Sequence, residues 1–177
     1  IQSSIFDYEN LAAHATYDIV HCRGVLSHTA DKEGAFSKIS KFLKPGGYLI
    51  FGDPNKTGGF QNMLQRFTIY NFASTSKEMV DISEQLFKND IDRAQKYANR
   101  TRKSIIFDRW VVQSQDDPSV KEVLEWFEKN DLQLYSSYPP FIPPVMSDSF
   151  FHFPKFSIRS FKDIGVLTEV LWMIYNN

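Results

Sequence analysis

The clearest pattern of apolar and polar positions lies between residues 17 and 52, and it predicts a strand, a helix and a second strand. Residues 17–24 carry the β-favouring Ile19 and Val20 and lead into a glycine. Asp31 can cap a helix whose apolar positions recur at helical spacing. Residues 44–47, Lys-Pro-Gly-Gly, stop that helix and turn the chain into a buried strand over residues 48–51. The pattern therefore predicts a βαβ unit with parallel strands and a right-handed crossover.

The following stretch changes to helical periodicity. Residues 60–72, 77–87 and 90–97 each predict a helix, and polar breaks separate them. Ser119 and Glu122 have the spacing of a capping box, which predicts a helix over residues 119–129. Residues 132–135 predict a third strand, whereas the tail over residues 157–175 is compatible with a helix or, in its last six residues, with a strand.

The composition indicates one globular domain with a bulky interior or an apolar pocket. The chain has 177 residues, of which 42% are hydrophobic and 15% aromatic, with 16 Phe. Its 20 basic and 21 acidic residues nearly cancel, so the net charge does not indicate binding to nucleic acid or an anionic membrane. A local basic cluster could meet an anionic substrate, including RNA, or could be a solvated face; it comprises Arg100, Arg102, Lys103 and Arg109.

The single cysteine, Cys22, cannot form an internal disulfide, and no Cys/His spacing resembles a zinc site. We therefore expect a reducing, cytoplasmic setting. No apolar run approaches the roughly 18–20 residues that span a bilayer, and no signal-peptide pattern opens the chain, so we expect no membrane partner. Because the first residue is Ile1 rather than Met, we expect that the natural N-terminus lies elsewhere.

The functional residues are expected at the carboxyl ends of the two strands. In an open parallel sheet, ligands bind beyond these ends. Residues 22–28 and 52–55 would then lie together on one rim of the sheet. Asp53, Asn55 and Lys56 would face the substrate side, although a type I turn explains Asp-Pro-Asn equally well.

Two motifs on this βαβ unit resemble a known family. Residues 17–31, YDIVHCRGVLSHTAD, and residues 42–51, FLKPGGYLIF, are similar to the fourth and fifth strand motifs of class I S-adenosylmethionine-dependent methyltransferases. Residues 119–129 and 132–136 look, more loosely, like the fifth helix and sixth strand of that family. The resemblance implies an α/β, partial Rossmann-like methyltransferase fold with a mostly parallel sheet, and S-adenosylmethionine as the cofactor.

The resemblance also implies a domain organisation. All of residues 1–177 would form a single, truncated methyltransferase-like domain, and residues 57–116 would be a helical insertion after the fifth family strand. Such an insertion commonly covers the substrate side in this family. The alternative is a helical addition that buries its own small core or forms a dimer contact.

Carried over residue by residue, the resemblance places cofactor contacts along the strand end. Asp7 would accept a hydrogen bond from the adenine amino group, with Tyr8 beside the ring, although an exposed carboxylate is normally just solvated. The backbone of Cys22, Arg23 and Gly24 would run past the methionine portion. Gly24 would allow close backbone approach, or it is simply a strand-to-loop glycine. The Cys22 side chain is expected to be buried rather than nucleophilic.

His28 stands where the family often has the second His of a pair, while Ser27 replaces the first. A histidine on the rim could act as a general base near neutral pH. The alternative is a structural histidine that hydrogen-bonds the backbone. Many members of the family rely on positioning the substrate, because the sulfonium already makes the methyl group electrophilic.

The family's glycine-rich loop, an acidic-Gly-x-Gly-x-Gly pattern, does not occur in the 177 residues. We therefore expect this chain to bind the cofactor weakly by itself, and the methyl acceptor stays unknown. A partial parallel sheet would expose an apolar edge, which the remainder of a longer protein or a homodimer partner would cover. Two functions follow: methyl transfer by the parent protein, or a non-catalytic interaction or scaffold domain with the same fold.

Overall fold

The protein is described from a computed structural model over residues 2–7, 15–111 and 115–139, together with residues 168, 169 and 172. The chain divides into two compact units. One unit, the strand unit, contains residues 1–58 and 116–177, and the other, the helical unit, contains residues 59–115. The predicted insertion, residues 57–116, overlaps the helical unit; its role as a substrate-side cover stays a prediction.

The strand unit is built around the predicted βαβ arrangement. Strand β1, Tyr17–Arg23, pairs in parallel with β2, Leu43–Gly52, and helix α1, Lys32–Ser40, connects them after a short 3-10 turn over Leu26–His28. The side chain of Asp31 accepts a hydrogen bond from the backbone N–H of Gly34, as predicted for the cap of this helix. The described residues therefore show a mixed α/β unit with a small parallel sheet.

The predicted turn at residues 44–47 lies inside β2 rather than before it. Between the pairs Tyr17–Leu43 and Ile19–Tyr48, β1 advances two residues while β2 advances five. Gly46 has a φ of +80° there, and a Cβ on Gly47 would lie 2.8 Å from the backbone oxygen of Asp18. The two glycines thus allow the extra residues to form a bulge without breaking the strand pair.

The prediction of a third strand at residues 132–135 is wrong for this structure, in which residues 132–137 form no strand. Leu132 packs against the core below β1 and β2, and Leu134 packs against Val120 and Leu124, while Tyr135 is exposed. The alternation that suggested a strand is therefore present in the burial of the side chains. Residues 132–135 do not pair with β1 or β2, so they add no strand to the sheet that the described residues form.

Helix α6, Val120–Lys129, begins at the predicted capping box. The Ser119 hydroxyl accepts from the backbone N–H of Glu122, and the Glu122 carboxylate accepts from the backbone N–H of Ser119. This exchange satisfies two of the N–H groups that a helix start leaves unpaired. The prediction of this helix is confirmed.

An aromatic cluster lies between α1, α6 and one face of the strand pair. Phe36 is fully buried, and its ring centroid lies 5.4 Å from that of Phe51 and 5.6 Å from those of Trp126 and Phe127. We call this the inner cluster; its buried members are Cys22, Leu26, Ala35, Phe36, Ile39 and Trp126.

The opposite face of the strand pair is exposed. Its large apolar side chains are between 42% and 61% exposed, and they are Tyr17, Ile19, Tyr48 and Ile50. Parallel sheets are normally covered on both faces. Among the described residues no helix packs on this face, which we call the open face.

Within the described part of residues 59–115, the helical unit contains four α-helices and one π-helical segment. The α-helices are α2, Phe60–Phe72; α3, Ser76–Leu86; α4, Lys88–Tyr97; and α5, Arg102–Ile106. Helix α5 continues directly as the π-helical segment over Phe107–Val111. The first three confirm the predicted helices. The unit buries its own core, formed by Ile69, Ala73, Ile91, Ile106, Trp110 and Val111.

Helix α5 and the π-helical segment after it lie within the predicted helical insertion, residues 57–116, but no individual helix was predicted for these residues. Residues 104–112, Ser-Ile-Ile-Phe-Asp-Arg-Trp-Val-Val, are rich in β-branched and aromatic side chains that favour strands. Thr101 caps the helix by accepting from the backbone N–H of Ser104, and burial of Ile106 and Trp110 outweighs the local preference.

No helix in the described ranges is both long and apolar enough to cross a membrane. Of the ambiguous tail, only Thr168, Glu169 and Trp172 are described, and all three are helical.

The inner cluster predicts a large cost for removing its central ring. Phe36→Ala should lower the free energy of unfolding by about 3–5 kcal/mol, because the surrounding rings cannot collapse fully into the space. Phe72→Ala, which truncates a side chain that is 74% exposed, is the matched control and should change stability by less than about 0.5 kcal/mol. Urea denaturation followed by circular dichroism measures both; equal effects would show that Phe36 is not central to the fold.

Candidate functional site

The carboxyl ends of β1 and β2 meet through one backbone hydrogen bond. The N–H of Gly24 donates to the carbonyl oxygen of Gly52 at 2.7 Å. Gly24 has a φ of +64°, which favours glycine. The strand ends are therefore held side by side, as the parallel arrangement predicted, and together they form the rim described below.

Asp53 joins the two sides of the rim immediately after β2. Its carboxylate accepts from the backbone N–H of Leu26 at 3.1 Å and from the hydroxyl of Ser27 at 3.2 Å. Burial raises the pKa of the Asp53 carboxyl, and these hydrogen bonds offset part of the rise. The sequence suggested that Asp53 faces the substrate or forms a type I turn. Its contacts with the loop after β1 join residues 26–27 positions apart in the chain, so no local sequence pattern indicates them.

A third segment closes against the same loops. The backbone N–H of Asp116 donates to the carbonyl oxygen of Ser27 at 2.8 Å, and the side chains of Lys32 and Asp116 form an ion pair. The backbone N–H of Lys56 donates to the carbonyl oxygen of Pro118 at 3.1 Å. The residues that lead into α6 are thereby fixed beside both strand ends.

Glu169, in the C-terminal part of the chain, binds both the segment after β2 and the start of α6. It is only 2% exposed, and its carboxylate accepts from the backbone N–H of Val120 at 2.5 Å and from that of Thr57 at 3.3 Å. The Thr57 hydroxyl also donates to it. A carboxylate at the first residues of α6 is favoured by the helix dipole. Because an isolated acidic residue gives no sequence signal for such a role, Glu169 could not be identified from its pattern.

The predicted cofactor residues at the end of β1 lie on this rim, in different environments. Cys22 is buried in the inner cluster, and burial, with a smaller contribution from Asp53, raises the pKa of its thiol. The Arg23 side chain is exposed, and a Cβ on Gly52 would lie 3.3 Å from its Cγ. No atom lies within 4 Å of the position that a Cβ on Gly24 would occupy. The Cys22 side chain thus points into the core, whereas the Gly24 backbone borders open space.

His28 ends the 3-10 turn that follows the rim glycine. It is exposed, and its backbone N–H donates to the carbonyl oxygen of Val25 at 3.1 Å. The residue is therefore close in the chain to Gly24 and to Ser27, which contacts Asp53. Its role as a general base stays a prediction.

Asp7, the predicted acceptor for the adenine amino group, lies before β1 in the chain. Asp7 lies in an exposed turn, in which its backbone N–H donates to the carbonyl oxygen of Ser4 at 3.1 Å. Within the described ranges, no hydrogen bond joins Asp7 to residues 22–28 or 52–55. Tyr8, its predicted neighbour at the adenine, lies outside the described residues, so both roles stay predictions.

The basic cluster of the helical unit is largely paired with acidic side chains. Arg100 contacts Asp108 at 2.9 Å, and Arg102 contacts Glu84 at 2.6 Å. Arg102 also pairs with Asp92. These ion pairs favour a structural, solvated face over an anion-binding one.

Comparison with known proteins gives one family and several relatives. A family model described as "Methyltransferase domain" matches residues 3–102, which is more than half of the chain. The chain is 38% identical over 56 residues to the ubiquinone biosynthesis O-methyltransferase of Vibrio atlanticus, covering 32% of this chain and 23% of the relative. It is 26% identical over 100 residues to the dimethylglycine N-methyltransferase of Parasynechococcus marenigrum, covering 51% of this chain and 36% of the relative.

A ubiquinone biosynthesis O-methyltransferase of Burkholderia vietnamiensis is 37% identical over 57 residues, which cover 28% of this chain and 25% of that relative. The chain thus spans between about a quarter and just over a third of the curated relatives it matches. No solved structure matches it at the same level of significance.

The buried carboxyl on the rim predicts a pH dependence of stability. Because the pKa of Asp53 is raised in the folded protein, its proton is held more tightly there than in the unfolded chain. Its contribution to the free energy of unfolding is therefore greatest below about pH 4, the ordinary aspartate value, and falls as the pH rises through the raised pKa.

Urea titrations from about pH 3 to about pH 6 would compare the wild type with Asp53→Asn, which cannot ionise. We expect the stability advantage of the wild type to shrink as the pH rises. Asp18→Asn, which alters an exposed carboxylate paired with Lys44 at 3.0 Å, is the control. An advantage that grows with pH would show that the hydrogen bonds to Asp53 outweigh its burial.

Proposed function

The chain belongs to the methyltransferase domain family, among the class I S-adenosylmethionine-dependent methyltransferases, and from that premise we propose that its parent protein transfers a methyl group from S-adenosylmethionine to an acceptor. In this proposal the rim of β1 and β2 is one wall of the cofactor site. The family also implies a Rossmann-like fold, of which the two parallel strands and α1 are a part.

The observation that supports the proposal is the accessible backbone at the end of β1. The hydrogen bond between Gly24 and Gly52 holds the strand ends together, and the position of the missing Cβ of Gly24 borders open space. A ligand can approach backbone that carries no Cβ more closely than it can approach backbone with a side chain. The residues from Cys22 to Gly24 therefore fit the wall that the family places beside the methionine portion.

When bound, S-adenosylmethionine supplies a methyl group on a positively charged sulfur, which is already electrophilic. The chain's own contribution is then mainly to position the reactants and exclude water. Asp53 serves the site indirectly, since it fixes Leu26 and Ser27 beside the strand end. For an acceptor that must lose a proton, His28 is the rim side chain that would take it.

One wall does not make a complete site. The acidic-Gly-x-Gly-x-Gly pattern that normally holds the cofactor is not among the 177 residues, so we propose that this chain alone is inactive. The relatives named above act, by their names, as O- and N-methyltransferases, which leaves the acceptor atom open. A cytoplasmic setting is part of the proposal and is supported by the single buried cysteine.

Gly24 and Gly46 provide a matched pair of variants. Both have positive φ, and neither has an atom within 4 Å of its absent Cβ, but Gly24 lies on the rim and Gly46 in the bulge of β2. In the longest natural form of the protein, Gly24→Ala should weaken binding of S-adenosylhomocysteine roughly tenfold or more, because the new Cβ prevents close approach. Gly46→Ala should carry the same backbone strain and leave binding unchanged.

Calorimetric titration measures both variants and the 177-residue chain. Equal affinities for the two alanine variants would contradict a cofactor site at Gly24. Micromolar binding by the 177-residue chain would show that the glycine-rich loop is dispensable, contrary to the proposed inactivity of the chain alone.

The open face of the sheet favours a second candidate, a non-catalytic interaction or scaffold domain. Tyr17, Ile19, Tyr48 and Ile50 expose apolar surface where a parallel sheet is normally covered. In this alternative a second copy of the chain covers the face and forms a homodimer, and the methyltransferase fold serves as a platform.

Analytical ultracentrifugation distinguishes the two candidates. A scaffold dimer requires the chain to sediment at twice its mass of 20.6 kDa, and Ile19→Lys should then shift it to the monomer by placing a charge in the apolar contact. Tyr97→Lys, at an exposed position of α4, is the control and should leave the dimer intact. A stable wild-type monomer would count against the scaffold.

A further inference from the structure

Helix α2 turns its apolar stripe outward. Phe60, Met63, Leu64 and Phe67 follow the i, i+3, i+4, i+7 spacing of one helix face. Each of these side chains is between 48% and 69% exposed. Tyr70 continues the stripe and is 40% exposed. We call these five residues the apolar face of α2.

Hydrogen bonds hold the helix in this orientation. The buried side of α2 carries Gln65, whose amide oxygen accepts from Trp110 Nε1 at 3.0 Å and whose amide nitrogen donates to Asp90 at 2.8 Å. Ile69 is fully buried on the same side. A glutamine that is buried with both ends of its amide bonded would be costly to expose without partners. Rotation of the apolar face into the core of the helical unit is therefore disfavoured.

The charge along α2 and its flanking segments has one sign. Between Asp53 and Glu78 there is no acidic residue, and the only charged residue within α2 is Arg66. The helical unit, residues 59–115, has nine basic and six acidic residues, a net charge of +3. Because the whole chain has a net charge of −1, the rest of it carries −4. An apolar face in the basic part of a chain with asymmetric charge is complementary to an anionic, apolar partner.

The size of the face argues against a second copy of the chain as that partner. Thirteen helical residues extend about 20 Å, and a helix is about 10 Å wide. The face therefore offers on the order of a few hundred Å², whereas a stable protein interface buries about 800 Å² on each partner. A lipid surface has no such minimum, since apolar side chains insert individually.

We propose that the apolar face of α2 docks onto an anionic lipid bilayer, lying in the plane of the interface with its aromatic side chains inserted. The sequence alone led us to expect no membrane partner, because that expectation rested on spanning segments and overall charge. The orientation of α2 is visible only in the structure. The inference does not rest on methyl transfer, since lipid binding needs neither cofactor nor acceptor.

Vesicle flotation with the 177-residue chain tests the proposal. The vesicles would be phosphatidylcholine alone or phosphatidylcholine with phosphatidylglycerol. We expect binding to the anionic vesicles that weakens at high salt, because salt screens the attraction. Phe67→Gln should reduce partitioning at least about fivefold by removing one inserted ring without changing charge. Tyr97→Gln, which alters a side chain on α4 that is 79% exposed, is the matched control and should bind like the wild type.

Thermal unfolding followed by circular dichroism checks that both variants are folded. Because both substitutions are at exposed positions, neither should change the unfolding midpoint. Equal binding by Phe67→Gln and the wild type would overturn the proposal, as would equal binding to neutral and anionic vesicles. Failure to float, combined with a dimer that Phe67→Gln dissociates, would overturn it in favour of a second copy as the occupant.

Discussion

The packing of the Phe36 ring is the contact on which the strand unit depends. It brings α1, β2 and α6 together through Phe51, Trp126 and Phe127. Helix α1 is the crossover between β1 and β2. Because it packs against this cluster, the two strands can run in parallel and in register. Parallel strands end at the same edge of the sheet, so the position of the rim follows from burial on the other side of the strands.

At that edge of the sheet, the loops are held by polar contacts rather than by apolar packing. The bond from Gly24 to Gly52 joins the strand ends, Asp53 holds the loop after β1, and Glu169 holds Thr57 and Val120. These contacts fix a wall of backbone with open space beside Gly24. Parallel sheets are normally covered on both faces, whereas the described residues cover this strand pair on one face only. Membership of the methyltransferase family is thus consistent with the proposal that these residues supply one wall of a larger site.

The sequence predicted those features that depend on neighbours along the chain. The capping box at Ser119 and Glu122, the cap at Asp31 and the helices α2 to α4 rest on contacts within a turn or two, and all are present. That residues 132–135 form no strand could not be predicted, because pairing depends on a partner outside these residues. The bond between Asp53 and Ser27 joins residues 26 apart, and periodicity shows that α2 is amphipathic without showing which side faces the core.

The central claim is that the carboxyl ends of β1 and β2 form one wall of a cofactor site. It is tested most directly by a crystal structure of the longest natural form of the protein with S-adenosylhomocysteine bound. The account predicts that the ligand contacts the backbone of Cys22, Arg23 and Gly24, with Asp53 still bonded to Leu26 and Ser27. A ligand bound elsewhere, with no contact to residues 22–24, would contradict it.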